Sequence, residues 1–395
     1  MTLPRGFVQK GLEDKVCLLK RSLYGLKQSG RAWNQEMNKK FENAGLVRSQ
    51  FDPCVYFMQL HCGKIIAAVF ADDTIIAENN DAMAQIKLII QGMFPTRDLG
   101  PLHYFLGVRV NRMEDGSMTL DQEKYINEVL AKFGMTECKP VTTPMDPGQL
   151  LSMSNAPQTQ AEMLAMKKVP YKELIGSLSY IAQVTRPDIS FAVAKLGRFA
   201  SNPGVSHWTA AKRVLRYLKG TSDYGLHLSS KTQEPLSAFV DADWAGDRDD
   251  RKSCTGYCLT LGGNAVLWKC AKQSCIANST MEAEYVALAA CTREIIWTRN
   301  LLNELGLDDL VQGPTQVWCD NQAAIYNASD PVPRGKTKHI EIRHHIVREA
   351  CTQGNVKVTY IPTHYNKADL LTKALAGPRH AELAKSLGLR PTQRR

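Results

Sequence analysis

The sequence predicts an α/β protein, on three observations. Short apolar runs rich in β-branched and aromatic residues alternate with stretches of helical period. Residues 232–376 read strand, strand, strand, helix, strand, helix, helix, strand, helix, the order of a mixed sheet with flanking helices. Pro- and Gly-rich breaks cut the 395 residues into segments, and a rough prior of about 150 residues per domain allows two or three.

Taken in order, residues 1–138 mix helix and strand. Gly25-Leu-Lys-Gln-Ser-Gly30 is a basic turn, followed by a helical pattern through Trp33, Met37 and Phe41. Pro53 to Leu60 and Ile65 to Phe70 form a hairpin turned at Gly63 and Lys64. Ala71-Asp-Asp-Thr74 sits at the tip of the second strand, and a helix spans Ala82 to Met93. His103 to Val110 reads as a strand, with Glu114-Asp-Gly116 turning into Met118-Thr-Leu120. Tyr125, Val129 and Phe133 mark a helix ended by Gly134.

Residues 139–168 are rich in Pro, Thr, Ser, Gln and Met, and read as a linker with little structure of its own. Residues 169–231 are a helical connection, broken at Arg186-Pro-Asp188 and Asn202-Pro-Gly204. Residues 377–395 read as a basic tail.

The domain over 232–376 carries the chemistry. Ser237-Ala-Phe-Val-Asp-Ala-Asp-Trp-Ala-Gly246 is a short strand ending in acids. An aspartate at a strand end packs poorly and suits a hard cation. Three further acids fall at element edges: Glu282 near the start of a helix over Thr280 to Leu305, Asp320 after Gln316-Val-Trp-Cys319, and Asp369 after the strand ending at Ile361. Leu370, Leu371 and Leu375 look like a core-facing helix. Each acid alone reads as a cap or turn. Jointly, the βββαβα order brings such ends to one edge of a sheet and suggests a two-metal phosphodiester site. Glu282 shares a helical stripe with Val286, Ala289 and Ile296, and Glu284 one with Leu288, Cys291 and Ile295, so periodicity does not choose between them. Asp243 and Asp247 are expected to face solvent. His339, His344 and His345, and the pairs Cys254/Cys258 and Cys270/Cys275, match no zinc spacing.

These motifs carry a resemblance. Asp241-Ala-Asp-Trp-Ala-Gly246, Ser279-Thr-Met-Glu-Ala-Glu-Tyr285, Cys319-Asp-Asn-Gln-Ala-Ala-Ile325, Lys338-His-Ile-Glu-Ile-Arg343 and Ala368-Asp-Leu-Leu-Thr-Lys373 resemble the ribonuclease H domain of copia-type LTR retrotransposons. The resemblance implies a ribonuclease H-like mixed five-stranded sheet and cleavage of the RNA strand of RNA–DNA hybrids. It implies two Mg²⁺, or Mn²⁺, held by Asp241, Glu282, Asp320 and Asp369, with Glu282 favoured over Glu284 by the motif match. His364 stands nearest to the place of a product-release histidine. The basic stretch Arg334-Gly-Lys-Thr-Lys-His339, with Arg343, His344 and His345, would form a phosphate-contacting ridge.

The first half extends the resemblance. Ala67-Ala-Val-Phe-Ala-Asp-Asp-Thr-Ile-Ile76 is similar to motif C of reverse transcriptases, and Ser22-Leu-Tyr-Gly-Leu-Lys-Gln-Ser-Gly-Arg-Ala-Trp33 to motif B of the copia-type enzymes. Adjacent acids in an apolar run require desolvating one of them, which a metal would explain. Asp72 and Asp73 are thus the candidate polymerase metal ligands, and residues 1–138 a palm and thumb remnant binding template-primer. The third aspartate of such sites, from motif A, lies in the family upstream of the stretch resembling Leu3-Pro-Arg-Gly-Phe-Val8. Weak or no polymerase activity is therefore expected of this chain alone, and a partner chain carrying that motif would be needed.

Bulk properties fit these readings. The formal net charge of +10 favours polyanionic partners. The 11 scattered cysteines lack a disulfide framework and point to reduced thiols in an intracellular compartment. The longest apolar run, Ile65 to Ala71, is too short to span a bilayer, so no membrane partner is expected. The family's replication cycle implies a cytoplasmic location with nuclear access. The competing reading is a catalytically inactive nucleic-acid-binding remnant.

Overall fold

The structure, a computed structural model, describes residues 6–7, 11, 15–61, 63–78, 82–230, 234–329 and 341–392. It divides into two compact units, Met1–Pro101 and Leu102–Arg395.

In the first unit, four antiparallel strands follow one another in chain order: Val47–Arg48, Val55–Leu60, Gly63–Phe70 and Asp73–Glu78. Alternation buries Tyr56 and Met58 on one strand and Ile65, Ala67 and Val69 on the next. Helices Ser29–Asn43 and Met83–Met93 cover that face with Met37, Phe41, Ile86 and Ile90. The turn between the last two strands holds Ala71 at φ +51°, a conformation that L-residues seldom adopt. Its carbonyl accepts a hydrogen bond from the Trp33 indole at 2.9 Å, which ties the hairpin tip to the first helix.

The second unit contains two five-stranded sheets. One is antiparallel throughout and ordered Leu389–Pro391, Tyr224–Leu228, Met118–Asp121, Val108–Arg112, Tyr104–Phe105. The other is mixed. Strands Asn264–Lys272, Cys254–Leu261 and Ser237–Asp243 pair antiparallel, and Thr315–Cys319 and Val356–Tyr360 continue from Ser237–Asp243 in parallel. This is the ribonuclease H-like sheet that the resemblance implies. The helix Thr280–Glu304 lies against it, burying Ala283, Ala287, Leu288 and Cys291 among Ala238, Val240 and Val317.

Two stretches differ from their sequence reading. Residues 139–168, expected to be a bare linker, bury Met145 and Leu151 among the connection helices and form the helix Gln160–Lys167. A Thr159–Glu162 capping box starts that helix, a signal that its polar composition masks. The basic tail likewise folds. Gly377–Ser386 is a helix with Pro at its start, Leu383 and Leu387 are buried in a cluster with Leu226, Leu370 and Leu371, and buried Leu389 pairs with Leu226 on the neighbouring strand. The helix expected around Leu370 is a 3-10 turn over Lys367–Leu371, and α-helix begins at Gly377.

The connection is fastened by a buried ion pair. Arg186 donates to both Asp188 carboxylate oxygens, at 2.9 and 2.7 Å, and to the Thr221 carbonyl at 2.7 Å. Tyr217 donates to Asp188 at 2.6 Å, and a His380 ring nitrogen stands 3.0 Å from the Asp188 carbonyl. Both charged side chains are fully buried, so each depends on the other for solvation. Asp188→Ala strands the guanidinium and is expected to cost about 3–5 kcal/mol, read as a lowered urea midpoint. Tyr217→Phe removes one charge-assisted bond and is expected to cost about 1.5–3 kcal/mol by the same measurement.

Candidate metal centre

The strand Ser237–Asp243 lies at the middle of the mixed sheet, where antiparallel and parallel pairing meet. On one side Asp241 stands opposite Gly256. On the other, Phe239 pairs in parallel with Trp318. Carried two residues further, that register sets Asp320, just beyond the neighbouring strand, beside Asp241. Parallel pairing thus aligns the two carboxyl-terminal strand ends, as the βββαβα reading requires.

Asp369 reaches the same place from the turn Lys367–Leu371. Asn366 anchors it, donating to the Val240 carbonyl at 2.9 Å and accepting from the Ala368 N–H at 3.1 Å. The turn rests on bare backbone at Gly256. A Cβ there would stand 2.5 Å from the Thr372 methyl and 2.9 Å from Leu371 Cβ, closer than atoms can pack. Carboxylate oxygens of Asp241, Asp320 and Asp369 lie within 4.8 Å of one another.

The fourth acid is Glu284. Ser279 caps the long helix by accepting the Glu282 N–H at 3.2 Å. The Glu282 carboxylate folds back onto Asn278, accepting from its backbone at 2.9 Å and its side chain at 3.0 Å. Glu282 therefore secures the helix start and stays out of the cluster, which corrects the assignment favoured by the motif match. Glu284 turns onto the sheet, accepts from the Ala242 N–H, and has a donor atom within 4.8 Å of one on Asp320. The Ser279-x-x-Glu282 spacing, a helix-start signature, could have separated the two.

Burying like charges has consequences. Loss of solvent, then the charges of Asp241 and Asp320, push the Glu284 carboxyl up to about 10. Burial also raises Asp320 and Asp369, with Asp241 adding to both. Opposing this, Lys373 Nζ lies 2.5 Å from Asp369 Oδ1 and 3.2 Å from Asp241 Oδ2, and Arg379 lies 3.9 Å from Asp369 Oδ2. The Thr372 hydroxyl donates to Asp241. Glu284 Oε2 is buried without a hydrogen-bond partner. A buried carboxyl oxygen without a partner, next to Asp320 of the three-aspartate group, is a setting that a hard divalent cation fits. The Cys319 thiol also lies within 4.8 Å of donor atoms of Glu284 and Asp320, and in the metal-free protein burial pushes it well up.

The remaining candidates lie elsewhere. Asp243 accepts the Cys254 N–H across the sheet. Asp247, expected to face solvent, is buried between Arg198 at 2.9 Å and Lys272 at 2.6 Å. His364 is exposed, its ring 3.8 Å from that of Tyr365. Asp72 and Asp73 are both exposed at the hairpin tip, so the desolvation expected of one does not occur: a two-residue turn leaves both to water. The ridge Arg334–His339, and the side chains of Arg343 and His344, lie outside the described residues. Among the described residues no helix is long and apolar enough to cross a membrane.

The chain is similar to several known proteins. A family model described as reverse transcriptase (RNA-dependent DNA polymerase) matches residues 1–147. The retrovirus-related Pol polyprotein from transposon TNT 1-94 of Nicotiana tabacum is 41% identical over 98% of this chain and 29% of its own length. The chain thus spans under a third of that relative. A Ty5-1 transposon protein of Saccharomyces cerevisiae is 30% identical over 74% of this chain and 94% of its own. Among solved structures, a ribonuclease H1 from Halobacterium salinarum is similar at 19% identity and a TM-score of 0.25, covering 35% of this chain and 94% of that one.

Because the Glu284 pKa is raised, the folded state keeps a proton that the unfolded chain releases above about pH 4.5. In the metal-free protein this contribution is complete below that pH and is lost as pH climbs toward 10. Glu284→Gln is expected to flatten the loss, gaining about 2–4 °C in melting midpoint per kcal/mol recovered at pH 8. Glu282→Gln, a change to the helix start, is expected to lower the midpoint at every pH. Thermal melts in EDTA between pH 5 and 9 check both.

Proposed function

Since the chain belongs to the retrovirus-related Pol polyproteins of copia-type transposons, we propose that its second unit hydrolyses the RNA strand of RNA–DNA hybrids by divalent-metal chemistry. The observation that carries this reading is the convergence of Asp241, Asp320 and Asp369 within 4.8 Å, closed by Glu284 with its unpartnered oxygen.

In this reading Asp241, Glu284, Asp320 and Asp369 would hold a pair of Mg²⁺ or Mn²⁺ ions. When bound, such a pair supplies an activated water and charge neutralisation at the leaving 3′ oxygen. The chain's own residues do the positioning. Asn366 and bare backbone at Gly256 fix Asp369 against the sheet, and the parallel register holds Asp320 to Asp241. The Ala242 N–H orients Glu284. Thr363 hydrogen-bonds Asp320. The chain's positive net charge would favour the polyanionic hybrid.

The first unit is assigned a reverse-transcriptase role with template-primer, its metal ligands Asp72 and Asp73 joined by a third carboxylate. Among the described residues neither belongs to a three-ligand group.

The test is cleavage of end-labelled RNA in a hybrid by the purified chain with Mg²⁺. Cleavage is expected, abolished by EDTA, and slowed roughly a hundredfold or more in Asp241→Asn and Asp320→Asn. Variants that cut as fast as wild type would remove the site assignment. Salt-sensitive hybrid binding without cleavage would leave the chain a binding remnant.

A further inference from the structure

We propose that Lys373 is a built-in counter-cation of the metal pocket, one that holds the acids together in the metal-free protein and is displaced when divalent ions enter. The proposal rests on the metal reading above. Its ammonium is 2.5 Å from Asp369 Oδ1 and 3.2 Å from Asp241 Oδ2, bridging two of the three clustered carboxylates. Those oxygens carry lone pairs that a divalent ion in the pocket would compete for.

Three features make the placement more than a surface ion pair. The two aspartates are buried, with side chains 2% and 8% exposed, so their charges cannot be left to water. Lys373 directly follows Thr372, whose hydroxyl also donates to Asp241, so the Lys367–Leu371 turn and the residues after it deliver one acid and two donors together. The lysine side chain is 37% exposed, on a long flexible stem, and has an open route out. Arg379, at 3.9 Å from Asp369 Oδ2, touches one acid and cannot replace the bridge.

An ammonium on those oxygens competes with a divalent cation for their lone pairs, and the two positive charges repel in a buried site. Metal entry is therefore proposed to displace the lysine. The exchange sets a threshold of free Mg²⁺ below which the pocket stays assembled but unloaded.

The test is Mg²⁺ titration by calorimetry, with thermal melts in EDTA and in Mg²⁺, on the full chain and on Lys373→Gln and Lys373→Arg. Lys373→Gln is expected to bind Mg²⁺ roughly tenfold more tightly, to melt lower in EDTA, and to gain more on adding Mg²⁺ than wild type. A Lys373→Gln chain that folds only with Mg²⁺ present supports the proposal equally. Lys373→Arg keeps the charge and is expected to track wild type in both measurements. If wild type binds Mg²⁺ and Lys373→Gln binds it no more tightly, the counter-cation assignment falls and the metal reading survives. The assignment also falls if Lys373→Arg gains affinity as Lys373→Gln does. If no variant and no wild type binds Mg²⁺, the metal reading falls and takes the assignment with it.

Discussion

The second unit is organised around one electrostatic constraint: four carboxylates brought to the end of a parallel strand pair, mostly out of water. Carboxylates crowded at this range repel, and burial deepens the penalty. A fold that still assembles them must fix each acid by covalent geometry and backbone contacts, because the acids' mutual interaction works against it. Asp241 and Asp320 are fixed by strand register, Asp369 by an anchored turn, and Glu284 by the first turn and a half of a well-capped helix. Lys373, Thr372 and Arg379 offset part of the charge. The rest is relieved at Glu284, whose raised pKa lets it keep its proton in the metal-free protein and whose Oε2 has no partner.

The surroundings supply the rigidity this requires. The mixed sheet carries helix Thr280–Glu304 on one face, while the turn Lys367–Leu371 seats against Gly256. Behind them the connection helices are bound to helix Gly377–Ser386 through the buried Arg186–Asp188 pair and His380. The connection helices are thus structural support for the acids, and their polar core lies within the same unit as the site.

Much of this is legible in the residues, and the failures have physical reasons. The strands of the mixed sheet and the long helix are legible as short runs rich in β-branched, aromatic and small apolar residues and as one long helical period, although Ser237–Asp243 and Cys254–Leu261 are buried on both faces and only Thr315–Cys319 alternates cleanly. Asp241, Asp320 and Asp369 are legible as acids at element ends. Glu284 is harder: both it and Glu282 lie on apolar stripes of one helix, and the register of helix against sheet, which decides between them, is a tertiary property. Composition misleads over 139–168 and 377–395, where sparse apolar residues such as Met145, Leu151, Leu383 and Leu387 suffice to dock polar segments onto an existing core. At Asp72 and Asp73 the flanking apolar run suggests burial, but a tight hairpin turn projects both into solvent.

One topological detail bears on how the molecule is made. The edge strand Leu389–Pro391 pairs with Tyr224–Leu228, and both the N–H and the hydroxyl of Thr392 donate to the Asp223 carbonyl across 169 residues of chain. The ribonuclease H-like sheet is strung entirely inside that loop. On a ribosome, the antiparallel sheet therefore cannot acquire its outermost strand until the mixed-sheet lobe has already emerged. Its closure is a late, long-range step of high contact order, slow relative to the helices it borders.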